Sequence, residues 1–163
     1  MELLSDQDLK VYAQQLKLPL LAVLQKDMFR NIIPQVGAYI INLQSSTVGN
    51  GTHWTGLYIT ETYAIYYDPY GLPIPTPLIK FIYKSIFKLK IIYSTDQIQE
   101  MNSVFCGWFV LYFIYFFNHY HKVADKKFLL NKHNSLYSLK LKYLNDKILQ
   151  KLITQITKHT FRK

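Results

Sequence analysis

The sequence predicts one compact α+β domain, on three observations. Two β-rich runs, His53 to Thr60 and Thr62 to Tyr67, flank a tight connection at Glu61; Phe105 to Phe117 is apolar on nearly every face; and both ends of the chain carry apolar residues at helical spacing. The 163 residues suffice for one hydrophobic core and are short for two, so residues 1–163 are read as a single domain. Half the residues are apolar and 16% are aromatic, which excludes a disordered chain.

Ser5-Asp6-Gln7-Asp8 supplies an N-cap and an acidic first turn, followed by Leu9, Tyr12, Ala13 and Leu16, so a first helix is expected to reach about Lys17 before Pro19. A short helical or irregular piece is expected over Leu20 to Phe29, and a buried strand over Ala38 to Leu43. Gln44 to Thr52 collects Gln, Ser, Thr, Asn and Gly without periodicity and reads as a loop. His53 then opens one strand and Asp68 closes its neighbour at the turn Asp68-Pro69-Tyr70-Gly71, so antiparallel pairing sets the two side by side. Pro73, Pro75 and Pro77 mark an extended segment. A helix is expected over Leu78 to Phe87, a strand over Lys88 to Tyr93, and a polar connection over Ser94 to Val104. Phe105 to Phe117 is then a helix buried at the centre, and a basic amphipathic helix is expected from Ser135 onward.

Val104 to Phe117 falls short of the roughly 18 residues that cross a bilayer, so no membrane span is expected. The N-terminus lacks the basic and apolar regions of a secretory signal, which implies a protein that is not secreted. The single cysteine excludes an internal disulfide framework and leaves Cys106 as either a small buried hydrophobe or a reactive thiol. A net charge of +9 permits attraction to nucleic acid; with Arg30 and Arg162 the only arginines, the lysine-rich surface suits nonspecific phosphate contact. His119 and His121, without cysteine or carboxylate company, make a poor metal site, and no metal is expected.

Taken singly, His53, Asp68, Gln99 and Cys106 each have an ordinary structural explanation. Their combination has a chemical one. A cysteine at the first turn of a helix meets exposed N–H groups that favour the thiolate. An imidazole must take and return the proton, a carboxylate must orient that ring, and donors must meet the developing oxyanion. Cys106, His53, Asp68 and Gln99, with the Cys106 backbone N–H, match these needs, and Gly107 leaves room for a substrate backbone.

The segment Gln99-Glu100-Met101-Asn102-Ser103-Val104-Phe105-Cys106-Gly107 resembles the adenovirus maturation protease (adenain) pattern of Gln, then Asn-Ser, then Cys-Gly. Gly51-Thr52-His53-Trp54 and Tyr67-Asp68-Pro69-Tyr70-Gly71 are similar to its Gly-x-His-Trp and acidic-Pro-aromatic-Gly motifs, and Ser5 to Lys10 to its opening helix. The resemblance implies a papain-like core in permuted order, with a mixed sheet flanked by helices and Cys106 at the N-terminus of the buried central helix. It implies a cysteine endopeptidase that cleaves viral capsid or core precursors at glycine-containing sites during virion maturation, in the virion and the infected cell. Trp54 would pack on His53 as a cation–π partner. Adenovirus members are stimulated by DNA and by a peptide tethered through a second cysteine. Only one cysteine exists here, so a peptide activator would be noncovalent, and a virophage- or Polinton-type relative fits better than an adenovirus. No cofactor is required, DNA remains a candidate partner, and a monomer is expected. Two other readings compete: a protease for ubiquitin-like modifiers, and a non-enzymatic basic DNA-binding virion protein.

Overall fold

The computed structural model describes residues 1–44 and 53–160; Ser45 to Thr52, which hold most of the expected loop and the Gly51-Thr52 motif, lie outside them. Helix α1 (Asp6–Gln15) starts at a capping box in which Ser5 Oγ accepts from Asp8 N and Asp8 accepts from Ser5 N. This reciprocal pair satisfies two helix-end donors, as the acidic first turn suggested. The next segment differs from expectation. Leu20–Gln25 is a strand, β1, and Met28–Asn31 a single 3-10 turn. Leucine and alanine suit helices in isolation, but here the run gains its hydrogen bonds as an edge strand parallel to β2, so tertiary pairing overrides local preference.

Strands β2 (Gly37–Asn42), β3 (Trp54–Ile59) and β4 (Tyr63–Tyr67) form an antiparallel meander, and β5 (Lys90–Tyr93) runs parallel to β4 at the other edge. The result is a mixed five-stranded sheet in the order β1-β2-β3-β4-β5. Side chains alternate across it, as a period of two requires. Tyr39, Ile41, Leu57, Ile59 and Tyr66 face helix α2 (Thr76–Ile82) and the 3-10 turn through Leu78, Phe81 and Phe29. Ala38, Ile40, Tyr58, Ile65 and Tyr67 face helix α3 (Cys106–His119). The fold is therefore α+β, a mixed sheet with helices on both faces.

Helix α3 fits against β3 because Gly56 has no side chain: a Cβ there would lie 3.1 Å from Val110 and from Phe113. The carbonyls of Glu2 and Leu4 accept from the indoles of Trp108 and Trp54 at 2.8 and 3.0 Å, tying the N-terminal segment to both α3 and β3. Behind α3 lie α4 (Lys126–Asn134), capped by Asp125, and α5 (Asn145–Thr160). The C-terminal region differs from the single long helix expected from Ser135. Helix α4 precedes it, and Leu141 and Leu144 belong to an irregular stretch and a 3-10 turn (Lys142–Leu144) before α5. No helix among the described residues is long and apolar enough to cross a membrane, and they hold no group of histidine, cysteine and carboxylate side chains able to bind a metal.

Candidate active site

The residues singled out by sequence converge at one end of the β3–β4 pair. His53 immediately precedes β3 and Asp68 immediately follows β4, and the register Gly56 with Tyr67 brings them face to face. His53 Nε2 lies 2.8 Å from Asp68 Oδ1, with Asp68 completely buried. The same Oδ1 accepts the Tyr70 backbone N–H at 2.8 Å, an Asx-type bond that fixes the carboxylate to its own turn. Gly71 closes that turn by donating its N–H to the Asp68 carbonyl. It sits at φ +71°, and a Cβ there would come within 2.6 Å of the Thr95 carbonyl oxygen, so only glycine fits.

With Nε2 committed to Asp68, Nδ1 is the other ring nitrogen open to proton transfer, and it is buried. The Cys106 side chain acts on this same ring. Burial alone lowers the imidazole pKa, but hydrogen bonding to Asp68 and then to Cys106, with the charges of both, raises it to about 9. The imidazole is thereby held in its charged form at neutral pH beside the thiol. Cys106 is the first residue of α3 and only 2% exposed, so the sulfur is recessed at the end of a helix whose first-turn N–H groups point outward.

Gln99 is fully buried in the irregular segment after β5. The Ile98 and Gln99 N–H groups both donate to the Pro69 carbonyl at 2.9 Å, which fastens this segment to the Asp68 turn. Gln99 Nε2 donates to the Ser103 carbonyl at 2.7 Å, and an amide nitrogen carries a second proton that this bond leaves over.

Two expected supporting roles change. The aromatic ring stacked on His53 is Tyr70, with centroids 4.5 Å apart and planes at 24°. Trp54 is instead turned into the core, because its buried indole N–H needs an acceptor and finds the Leu4 carbonyl. Gly107 does not open space for a substrate backbone. A Cβ there would be 3.3 Å from Leu4 and Leu9, so this glycine admits the N-terminal segment and α1 against α3.

Three residues of the site were given no role of their own from the sequence. Tyr70 lies within the turn motif, and its aromatic character beside Asp68 was the available clue. Ser103 donates its hydroxyl to Asp146 Oδ1 at 2.9 Å and accepts the Phe105 N–H at 3.3 Å, holding the start of α3. Asp146, at the start of α5, is half-buried; desolvation raises its pKa, partly offset by the bond from Ser103. An aspartate in a first helical turn ordinarily reads only as a dipole partner.

No protein family and no curated protein matches the chain. Among solved structures it is similar to the central domain of an uncharacterised Legionella pneumophila protein, at 15% identity over 100% of both chains with a TM-score of 0.53, a likeness of fold alone. Crystal structures of the ASFV pS273R protease, one selenomethionine-labelled, share 14% and 16% identity over 64% and 60% of this chain, with TM-scores of 0.39 and 0.37. The chain spans 42% and 41% of the length of those two.

Proposed function

We propose that residues 1–163 form a cysteine endopeptidase domain with a papain-like catalytic set in permuted order. The observation that carries this reading is the imidazole of His53, bonded at 2.8 Å to buried Asp68 through Nε2 and raised to a pKa of about 9 against its desolvation by Asp68 and Cys106 together. A structural histidine buried without function has its pKa lowered, as His133 does here, down to about 4. In the proposed mechanism Cys106 Sγ, as thiolate, attacks the scissile carbonyl, and the oxyanion is met by the Cys106 N–H and the remaining Gln99 amide proton. His53 Nδ1 gives its proton to the leaving amine as the C–N bond breaks, leaving a thioester on Cys106. A water then loses a proton to His53 and adds to the thioester, and the acid product leaves as the thiolate is restored.

The proposed substrates are viral capsid or core precursors, cut at glycine-containing junctions during maturation. The recessed thiol supports a glycine requirement, since a side chain next to the scissile bond would meet the walls around a sulfur that is 2% exposed. DNA and a noncovalent peptide remain proposed partners, the former through the lysine-rich surface behind the +9 charge. The test is cleavage of a glycine-junction precursor peptide by the wild-type chain and by Cys106→Ala, with circular dichroism to follow the fold. Loss of cleavage with an unchanged spectrum is expected; equal cleavage by Cys106→Ala would refute the assignment. Faster cleavage of a ubiquitin-like fusion than of the precursor peptide would move the substrate class but leave the chemistry.

A further inference from the structure

Gln99 lies in a segment, Ser94 to Phe105, that has no helix or strand of its own, yet an oxyanion donor must be held within a fraction of an ångström. The Asp68 turn fastens one side of it, through the Pro69 carbonyl and through the Tyr70 hydroxyl, which donates to the Ser103 carbonyl at 3.4 Å. The other side is held from far away in sequence. Lys142 Nζ donates to Gln97 Oε1 at 3.0 Å, and Gln97 Nε2 donates to the Gln99 carbonyl at 3.2 Å. Asn145 is completely buried; its Nδ2 donates to the Ile98 and Ser138 carbonyls at 2.8 Å, and its Oδ1 accepts from Ser138 N at 2.8 Å. Asp146 accepts from Ser103 Oγ at 2.9 Å, and it is the Ser103 carbonyl that accepts from Gln99 Nε2. Residues 142–146 thus grip the segment at three points, Gln97 and Ile98 just before the glutamine and Ser103 after it.

We propose that the start of α5 positions the oxyanion donor, with Asp146 as the positioning residue that acts on Gln99 through Ser103. This rests on Gln99 serving as that donor. One Gln99 amide proton is engaged by the Ser103 carbonyl, so the place of that carbonyl sets the direction of the other proton. Asp146 fixes Ser103 and, through the Ser103 Oγ bond to Phe105 N, the entry into α3. Releasing Ser103 lets the amide rotate and the donor leave its line, while the His53–Asp68 pair keeps its own anchors in the strands.

The experiment measures kcat and KM on a glycine-junction peptide for wild type, Asp146→Ala, Asp146→Asn, Ser103→Ala, Gln99→Ala and the double variant Gln99→Ala with Asp146→Ala. Iodoacetamide alkylation of Cys106, which forms no oxyanion, is followed in parallel. Gln99→Ala is expected to lower kcat about 100-fold, the scale of a lost oxyanion donor. Asp146→Ala and Ser103→Ala are expected to lower it about 10-fold with KM within about twofold, consistent with a donor shifted rather than removed. Alkylation stays unchanged, Asp146→Asn recovers most of the loss because its Oδ1 still accepts, and the double variant is no slower than Gln99→Ala alone. Multiplying losses in the double variant, alkylation falling in step with kcat, or full activity in Asp146→Ala would each overturn the proposal while the protease reading stands. A wild-type chain without Cys106-dependent cleavage would overturn that reading, and this proposal with it.

Discussion

Lowering the pH should destabilise this protein through one histidine that takes no part in the proposed chemistry. His133 is completely buried on α4, ringed by Tyr67, Phe113, Phe116 and Tyr137. Asn134 Nδ2 donates to Ser94 Oγ at 2.6 Å and Asp96 Oδ2 at 3.0 Å, so its Oδ1 is an acceptor and His133 Nδ1, 3.0 Å away, carries the proton. Nε2 has no partner among the described residues, and a second proton would sit among rings. Desolvation accordingly lowers the pKa to about 4 from its ordinary 6.5. The folded chain then binds fewer protons than the unfolded one in this window, so stability is intact above the unfolded value and falls as the pH drops from 6.5 toward 4. The difference amounts to about 3 kcal/mol in full, of which about 2 kcal/mol is lost between about pH 7 and about pH 5. Urea denaturation of wild type and His133→Gln across that range measures it, because glutamine cannot titrate and carboxylate contributions are common to both. The variant is expected to be less stable at neutral pH but to lose about 2 kcal/mol less on acidification. Parallel acid limbs in the two proteins would refute the argument.

His53 titrates in the opposite sense. Its raised pKa means stabilisation present in full below the unfolded value near 6.5 and lost as the pH rises through about 9, and peptide hydrolysis should fall over the same alkaline limb as the proton donor disappears. A pH profile with no alkaline limb near this value in an otherwise active enzyme would contradict it. Gly71→Ala forces a side chain into φ +71° against the Thr95 carbonyl, and thermal denaturation should show a loss of about 2 kcal/mol or more with activity falling further as Asp68 shifts. Ser5→Ala removes the cap of α1 and should cost about 1 kcal/mol in the same assay, with little effect on kcat. Tyr70→Leu, which removes the ring stacked on His53, should lower kcat further than Tyr70→Phe, which keeps the ring and loses only the hydroxyl's bond to the Ser103 carbonyl, as steady-state kinetics will test.

What the sequence made legible was whatever rests on local rules. The Ser5 cap, the strands flanking Glu61, the turn at Gly71 and the apolar α3 follow from capping, alternation, turn chemistry and continuous hydrophobicity, and the structure has each near its expected place. What it hid depends on partners distant in the chain. Leu20–Gln25 is a strand only because β2 lies beside it, and α4 has a short, lysine-rich sequence whose buried side, Leu129, Leu130 and His133, becomes evident only against α3. In the site, the side-by-side placement of His53 and Asp68 follows from a hairpin, which is local, and so could be anticipated. The stacking of Tyr70, the inward turn of Trp54 and the grip of Asn145 and Asp146 arise from contacts that no spacing encodes.

The bare backbone of Gly56 acts as a spacer gauge for the whole site. It lies three residues from His53 on β3, and the helix that begins with Cys106 rests on it through Val110, one turn from the thiol, and through Phe113. The gap between sulfur and imidazole is therefore set by the thickness of a sheet–helix joint, at a contact that touches neither group. Adding one methyl at this joint would push the two plates apart and carry the thiol away from the imidazole with the proposed catalytic residues unaltered, so the tolerance of the proposed chemistry is written into a position with no functional group at all.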